Sequence, residues 1–240
     1  MLTHAARRRL GFGPCLVALA LLVPPGAAAQ APGRLILSLG SDGFVAAAAL
    51  EGAAPATLIR DLGRWKVTDV SVIVLANIAY ASLPPALQAD LGEFLAAGGS
   101  LLLSGGAQSF GAGGYGDSPI AAALPVVIRA PKDFVSRPFR LAIPVTADHP
   151  ILSGVRLPLV GNFNDMNPKG GATEIARYAG GGFFLSPLIA EQSGPGTVIA
   201  IAFDPNELLG GWPDGPAFIR NTIQYLLERS RLLPRTPPPK

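Results

Sequence analysis

The chain has 240 residues, 49% of them hydrophobic and 15% charged, so it carries ample material for a core and does not belong to the disordered class. The whole formal excess of +3 sits in Arg7, Arg8 and Arg9, since without them the remaining Lys+Arg balance the 16 Asp+Glu. A formally neutral body lacks the basic footprint of a nucleic-acid binder, and that function class is excluded.

In chain order, residues 1–29 read as an export signal. Arg7-Arg8-Arg9 form the charged start, Leu10 to Val23 an apolar run, and Ala27-Ala28-Ala29 the small residues of a cleavage site. The run falls short of the roughly 20 residues that span a bilayer, so no membrane span is expected after cleavage behind Ala29 or, as the second choice, Ala31. The general secretory route is favoured, with the twin-arginine route as the alternative, and the expected location is periplasmic or secreted. Cys15 leaves with the signal, so the mature chain has no cysteine and a single histidine, His149. That excludes disulfides, a thiol nucleophile and thiolate metal ligation.

Arg34 to Leu39 predicts a strand, followed by an alanine-rich helix over Phe44 to Glu51. Thr57 to Trp65 is ambiguous. Val70 to Ala76 is a continuous apolar run, the mark of a strand buried on both faces of a parallel sheet. Ser82-Leu83-Pro84-Pro85 opens a helix, with Leu87, Leu91, Phe94 and Leu95 at helical spacing. Gly98-Gly99 stop it, and Leu101 to Leu103 form the next strand. A short helix is expected from Asp117 to Leu124, ended by Pro125. Beyond it, Val126 to Ile128, Phe139 to Val145 and Thr173 to Tyr178 read as strands among prolines that favour edges and loops. Pro187 to Glu191 and Thr197 to Phe203 flank Gly194-Pro195-Gly196 as a hairpin. Ala217 to Arg229 is the last helix, burying Phe218, Ile219, Ile223, Leu226 and Leu227. The tail from residue 233 is proline-rich and expected to be disordered. Strands alternating with helices argue for a parallel sheet with right-handed crossovers, in one domain over residues 30–232.

The segment Gly98 to Pro119, GGSLLLSGGAQSFGAGGYGDSP, is the most informative stretch. A buried strand that ends in a tight glycine turn is where α/β enzymes place a nucleophile, yet the turn holds Gly106, Ala107, Gln108 and Ser109. The string GGSLLLSGGAQSFGAGGY, with SPIAAALPV, DHPILSGV, the glycine-rich hairpin and a tryptophan before the final helix, resembles the glutamine amidotransferase-like domains. These are relatives of the class I amidotransferase fold found in bacterial envelope proteins. The resemblance implies a flavodoxin-like three-layer α/β sandwich with a mostly parallel central sheet. The stretch after residue 125 reads as an irregular β-rich insertion. Class I amidotransferases pair an elbow cysteine with a histidine and glutamate after a late strand, in a pattern written F-H-P-E. Here the cysteine would fall near Gly106 or Ala107, and the late strand continues as Phe203-Asp204-Pro205-Asn206-Glu207. Asp204 stands in place of the histidine, and Glu207 matches the glutamate one residue late. The resemblance therefore carries the fold and not the activity.

Asp42, Asn77, Gln108 and Asp204 each follow a predicted strand and are expected to converge at the carboxyl ends of the sheet, the usual ligand crevice of open α/β folds. Their alternative role is to cap helices and close turns. With Gly106, Ser109 and Glu207 they form the expected binding set. A serine nucleophile at Ser109 with His149 as base is the catalytic alternative, and loop packing is the structural one. Gly111-Ala112-Gly113-Gly114 lacks the Lys-Ser/Thr of a phosphate loop and reads as a closely packed or mobile loop, suited to a lid over the crevice. Asp42, Asp117, Asp165 and Asp204 show no metal-ligand spacing, calcium being the one cation their oxygens would suit. No cofactor is expected. The expectation for function is a non-enzymatic exported binding or scaffold protein, its partner an envelope protein or a small ligand. An amidase-like envelope hydrolase using Ser109 and His149 or an oxygen-ligated metal is the alternative.

Overall fold

The computed structural model describes residues 33–41, 56–63, 65–180, 185–208 and 210–233; the signal segment, Asp42, the alanine-rich stretch after it and the proline-rich tail lie outside the described residues. The chain first lays down β1 (Arg34–Gly40), β2 (Ala56–Ile59), β3 (Val72–Ala76), helix α1 (Pro85–Ala96) and β4 (Ser100–Ser104). There follow β5 (Val126–Ile128), β6 (Phe134–Leu141), β7 (Ile143–Pro144), β8 (Leu159–Asn164), β9 (Met166–Pro168), β10 (Thr173–Ala179), β11 (Leu185–Ser193) and β12 (Thr197–Ile201). Helices α2 (Pro205–Leu208) and α3 (Gly215–Arg229) close the fold.

The runs VIVLA, SLLLS and TVIAI of β3, β4 and β12 are buried at every residue, as unbroken apolar strands must be when a sheet is covered on both faces. They sit at the centre of an eight-stranded sheet of order β2-β1-β3-β4-β12-β11-β10-β7. The part from β2 to β12 is parallel and has the flavodoxin-like order 2-1-3-4-5, which places the topological switch point beside β1 and β3. From β12 outward, β11, β10 and β7 continue the sheet antiparallel. Separate two-stranded ladders, β5 with β9 and β6 with β8, complete the β-rich region after residue 125.

α1 begins on Pro85 and buries Leu87, Leu91, Phe94 and Leu95, the face its periodicity predicts. It stops at Gly98, whose φ of +98° suits glycine. Gly99 lies so close under Phe94 that a Cβ there would come within 2.2 Å of the ring. α3 buries Phe218, Ile219, Ile223, Leu226 and Leu227 as predicted, and adds Thr222 and Tyr225.

The short helix expected over Asp117 to Leu124 is instead two 3-10 turns, Tyr115–Asp117 and Ala121–Ala123. Pro119 explains the break: it has no N–H to donate, and it forces the preceding Ser118 into extended backbone (ψ 157°). The ambiguous Thr57 to Trp65 supplies the edge strand β2. The single strand expected over Phe139 to Val145 is divided between β6 and β7 around the buried Ala142. β8 and β9 have no counterpart in the sequence reading, because LVGNFN and MNP lack the β-branched pattern that signals strands.

A buried polar cluster holds α3 against the sheet. His149 caps the 3-10 turn Pro150–Leu152, with its Nδ1 accepting from Ile151 N at 3.4 Å. Its Nε2 lies 2.9 Å from Glu191 Oε2 on β11, and that oxygen also accepts from the Tyr225 hydroxyl of α3 at 3.0 Å. Ser193 Oγ donates to the other carboxylate oxygen at 2.5 Å. Burial pushes the Glu191 carboxyl up, but the hydrogen bonds from His149, Ser193 and Tyr225 outweigh it and hold the group down at about 2, against an ordinary value of 4.5. Burial and the facing carboxylate push the Tyr225 hydroxyl up to about 12.

A carboxyl with a depressed folded-state value contributes stability above its unfolded value and loses it as pH falls through the folded one. Thermal melts from pH 7 down to 2 should therefore show wild type losing stability below about pH 4.5. Glu191→Gln should melt lower at neutral pH, by a deficit on the order of 3 kcal/mol, and lack most of that acid limb. Parallel acid limbs in the two proteins would remove Glu191 as its origin.

Candidate functional site

The carboxyl ends of β3, β4 and β12 meet at the turn after Ser104. Gly105 N donates to Ile201 O (2.7 Å) and Phe203 O (3.1 Å), binding the turn to the end of β12. At Gly106 the backbone has φ +130°, a conformation that favours glycine. A Cβ on Gly106 would lie 2.3 Å from Cγ and Oδ1 of Asn77. Asn77, which follows β3 at φ +45°, thus occupies the space above the elbow. Its Nδ2 donates to Asp204 Oδ2 at 3.1 Å, and its Oδ1 accepts from Gln108 N at 2.9 Å. One amide side chain joins three strand ends.

Beneath the elbow lie two residues that the sequence reading does not select. Asn164, fully buried at the end of β8, accepts from Gly106 N through Oδ1 at 2.9 Å. Its Nδ2 donates to Asp133 Oδ1 at 3.0 Å, with Gly106 O and Ser109 O as longer acceptors at 3.3 and 3.4 Å. Asp133, also buried, accepts from Gly111 N (2.9 Å) and Ala112 N (3.0 Å). Both belong to the β-rich insertion and reach the elbow only through its folding back, so no local pattern announces them.

These bonds pin the glycine run. A Cβ at Gly111 would stand 2.0 Å from Ala130 O, and one at Gly113 would stand 2.5 Å from Gln108 O. Gly113 O also accepts from Tyr80 N at 2.8 Å. The loop is closely packed backbone, and the expectation of a lid is corrected.

Asp204 caps α2: its Oδ1 accepts from Asn206 N at 2.9 Å ahead of Pro205 at the first helical position. It is 5% exposed. Burial pushes its carboxyl above the ordinary value, opposed by the hydrogen bonds from Asn206 and Asn77. Asn206 Nδ2 reaches Ser41 O, bringing the end of β1 to the same place. Of the expected set, Asn77, Gly106, Gln108 and Asp204 therefore come together, while Asp42 lies outside the described residues. Ala107, Gln108 and Glu207 are exposed at the rim.

Ser109 and His149 are not paired. Ser109 Oγ is buried without a hydrogen-bond partner, and both ring nitrogens of His149 are engaged in the cluster with Glu191 and Ile151. Trp212 packs against Phe203 and Phe218 and donates to Arg156 O at 2.7 Å, a loop-anchoring role. Among the described residues no three His, Cys, Asp or Glu side chains gather as metal ligands.

Residues 56–210 match the family described as "Putative glutamine amidotransferase". The chain belongs to this amidotransferase-like family. Solved structures agree on the fold. The cytoplasmic protein STM3548 from Salmonella typhimurium superposes with a TM-score of 0.66 at 16% identity, covering 80% of this chain and 98% of its own. A second cytoplasmic protein, STM1381 from Salmonella typhimurium LT2, gives 0.66 at 17% identity over 82% of this chain and 100% of its own. A ThuA-like protein from Bacteroides uniformis gives 0.59 at 11% identity over 88% and 98%. No curated protein matches the sequence. In this amidotransferase-like domain, the two positions where the resemblance puts the cysteine are Gly106, which has no room for a side chain, and Ala107, an exposed methyl on the loop.

Two measurements test this geometry. Asn164→Ala leaves the buried Gly106 N–H without its partner and takes one of three donors from the buried Asp133 carboxylate, and urea titration should show a loss of about 2–4 kcal/mol. Gly106→Cys should destabilise the wild-type background more than the Asn77→Ala background, because removing the amide opens the space; a coupling on the order of 1 kcal/mol or more is expected. Additive effects would mean that Asn77 does not fill the elbow.

Proposed function

We propose that this protein is a non-enzymatic, exported binding protein of the bacterial envelope, built on an amidotransferase-like fold whose nucleophile and base are gone. The observation that carries the reading is Asn77: its amide fills the space over Gly106 and ties up Asp204, the residue standing where the histidine would be. A carbonyl carbon brought to this elbow would meet neither a thiol nor an imidazole. What the end of the sheet offers a partner is its exposed rim, Ala107, Gln108 and Glu207, on a backbone hydrogen-bonded from below by Asn164 and Asp133. A rigid scaffold presenting a few loop side chains is the common design of a binding surface. The export half of the reading rests on the charged start, apolar run and alanine triplet of residues 1–29.

Purified mature protein incubated with glutamine should release no ammonia above buffer. Release that Ser109→Ala or His149→Ala abolishes would establish the hydrolase instead. Mass spectrometry of the protein from its native host should find the chain beginning after Ala29 or Ala31 in the periplasmic fraction, and a cytoplasmic chain retaining Met1 would sink the envelope assignment. A photo-crosslinking residue at Gln108 should capture an envelope component that the same residue at Glu228, exposed on α3, does not.

A further inference from the structure

At the other end of the sheet lies a cavity of about 500 Å³. It is bounded by the last turns of α1, the segment around the 3-10 turn Ala121–Ala123, the Lys169-Gly170 corner and the tip of the β11–β12 hairpin. The hairpin tip is seated against the amino end of β4: a Cβ on Gly196 would stand 2.1 Å from Gly99 O. The cavity is therefore at the amino ends of β4 and β12, whereas the elbow is at their carboxyl ends.

Its walls are mostly apolar, from Leu95, Ile120, Ala123, Pro195 and Val198. A volume in this range with apolar walls and few polar groups is the usual form of a small-molecule site. The glycines around it point the same way. Gly92 lies within α1, where glycine costs about 1 kcal/mol relative to alanine. A Cβ there would meet nothing within 4 Å, and its φ is not positive. The same holds for Gly170. Neither backbone conformation nor a neighbouring atom requires glycine at these positions, and their effect is to leave the cavity open. Gly99 and Gly196, by contrast, are needed for close approach.

Lys169 is the single charged side chain among the lining residues, and none of them is acidic. It makes no ion pair among the described residues. Its Nζ donates to Ala122 O at the edge of the cavity, and an ammonium has three protons to give. Two remain for an anion. An apolar chamber with one uncompensated, half-buried cation at its side matches a ligand of the opposite pattern, an apolar body ending in a single anionic group.

We propose that this cavity binds a small amphiphilic monocarboxylate, with its chain against Leu95, Ile120 and Val198 and its carboxylate on Lys169. The assignment goes beyond the proposed function and does not rest on it.

Calorimetric titration of the mature protein with decanoate, 1-decanol and decyltrimethylammonium, all kept below micellar concentrations, tests it. Decanoate should bind saturably at one site and about ten-fold or more tighter than decanol, with no measurable binding of the cation. Lys169→Met should erase the preference for decanoate over decanol. Gly92→Leu should fill the cavity and abolish binding of both while melting at or above wild type, since leucine is the better helix former, so loss of binding cannot be assigned to misfolding. Absence of saturable decanoate binding, equal binding of the cation, an unchanged preference in Lys169→Met, or undiminished binding by a folded Gly92→Leu would each overturn the proposal.

Discussion

The end of the sheet depends on one side-chain amide. Parallel strands that finish together leave backbone N–H and C=O groups pointing into a common crevice, where each needs a partner if water is excluded. Asn77 meets that requirement from above, donating to Asp204 and accepting from Gln108 N. Asn164 and Asp133 meet it from below. Between them, these three residues bond the backbone N–H groups of Gly106, Gln108, Gly111 and Ala112. These bonds give partners to the buried Gly106 and Gly111 N–H groups and to the Asp133 carboxylate, groups that cost stability when left unpaired, while the Ser109 hydroxyl beside them has none.

The same bonds explain how the elbow turn is held with a side chain above it. A nucleophile elbow needs a strained turn at a strand end and open space above it for the attacking atom. Here the turn remains, with φ +130° at Gly106, but the space belongs to Asn77. Asp204 is spent twice, as a helix cap and as the acceptor for Asn77, with burial favouring its neutral form. His149 does comparable structural work elsewhere, as a turn cap and as one of three donors to Glu191. Residue types that suggest catalysis in isolation are consumed by backbone and packing requirements.

The glycines divide along the same line. Gly99, Gly105, Gly106, Gly111 and Gly196 lie where a Cβ would strike backbone or a packed side chain. They permit close approach of segments distant in sequence. Gly92 and Gly170 have open space around the missing Cβ, and both border the cavity at the amino ends of the strands. The sheet thus has one end closed by polar bonds and another left open by absent side chains.

Composition and periodicity by themselves determined the central strands, α1, α3 and a parallel α/β sheet, because burial on both faces imposes unbroken apolar runs and burial on one face imposes helical spacing; the flavodoxin-like class came with the family resemblance. The missing cysteine and the aspartate at position 204 were equally plain, since a chemical group that is absent from the chain needs no folding to be absent from a site. The tertiary structure alone decided what Asn77, Asn164 and Asp133 do. Their partners are 127, 58 and 22 residues away for the bonds to Asp204, Gly106 and Gly111, and nothing in a local pattern distinguishes a buried asparagine from an exposed one. It also separated Ser109 from His149, split the expected helix at Pro119, and showed which glycines are held in contact and which leave room. Such outcomes depend on where distant segments meet, a consequence of the packing of the whole chain and not of the propensity of any part.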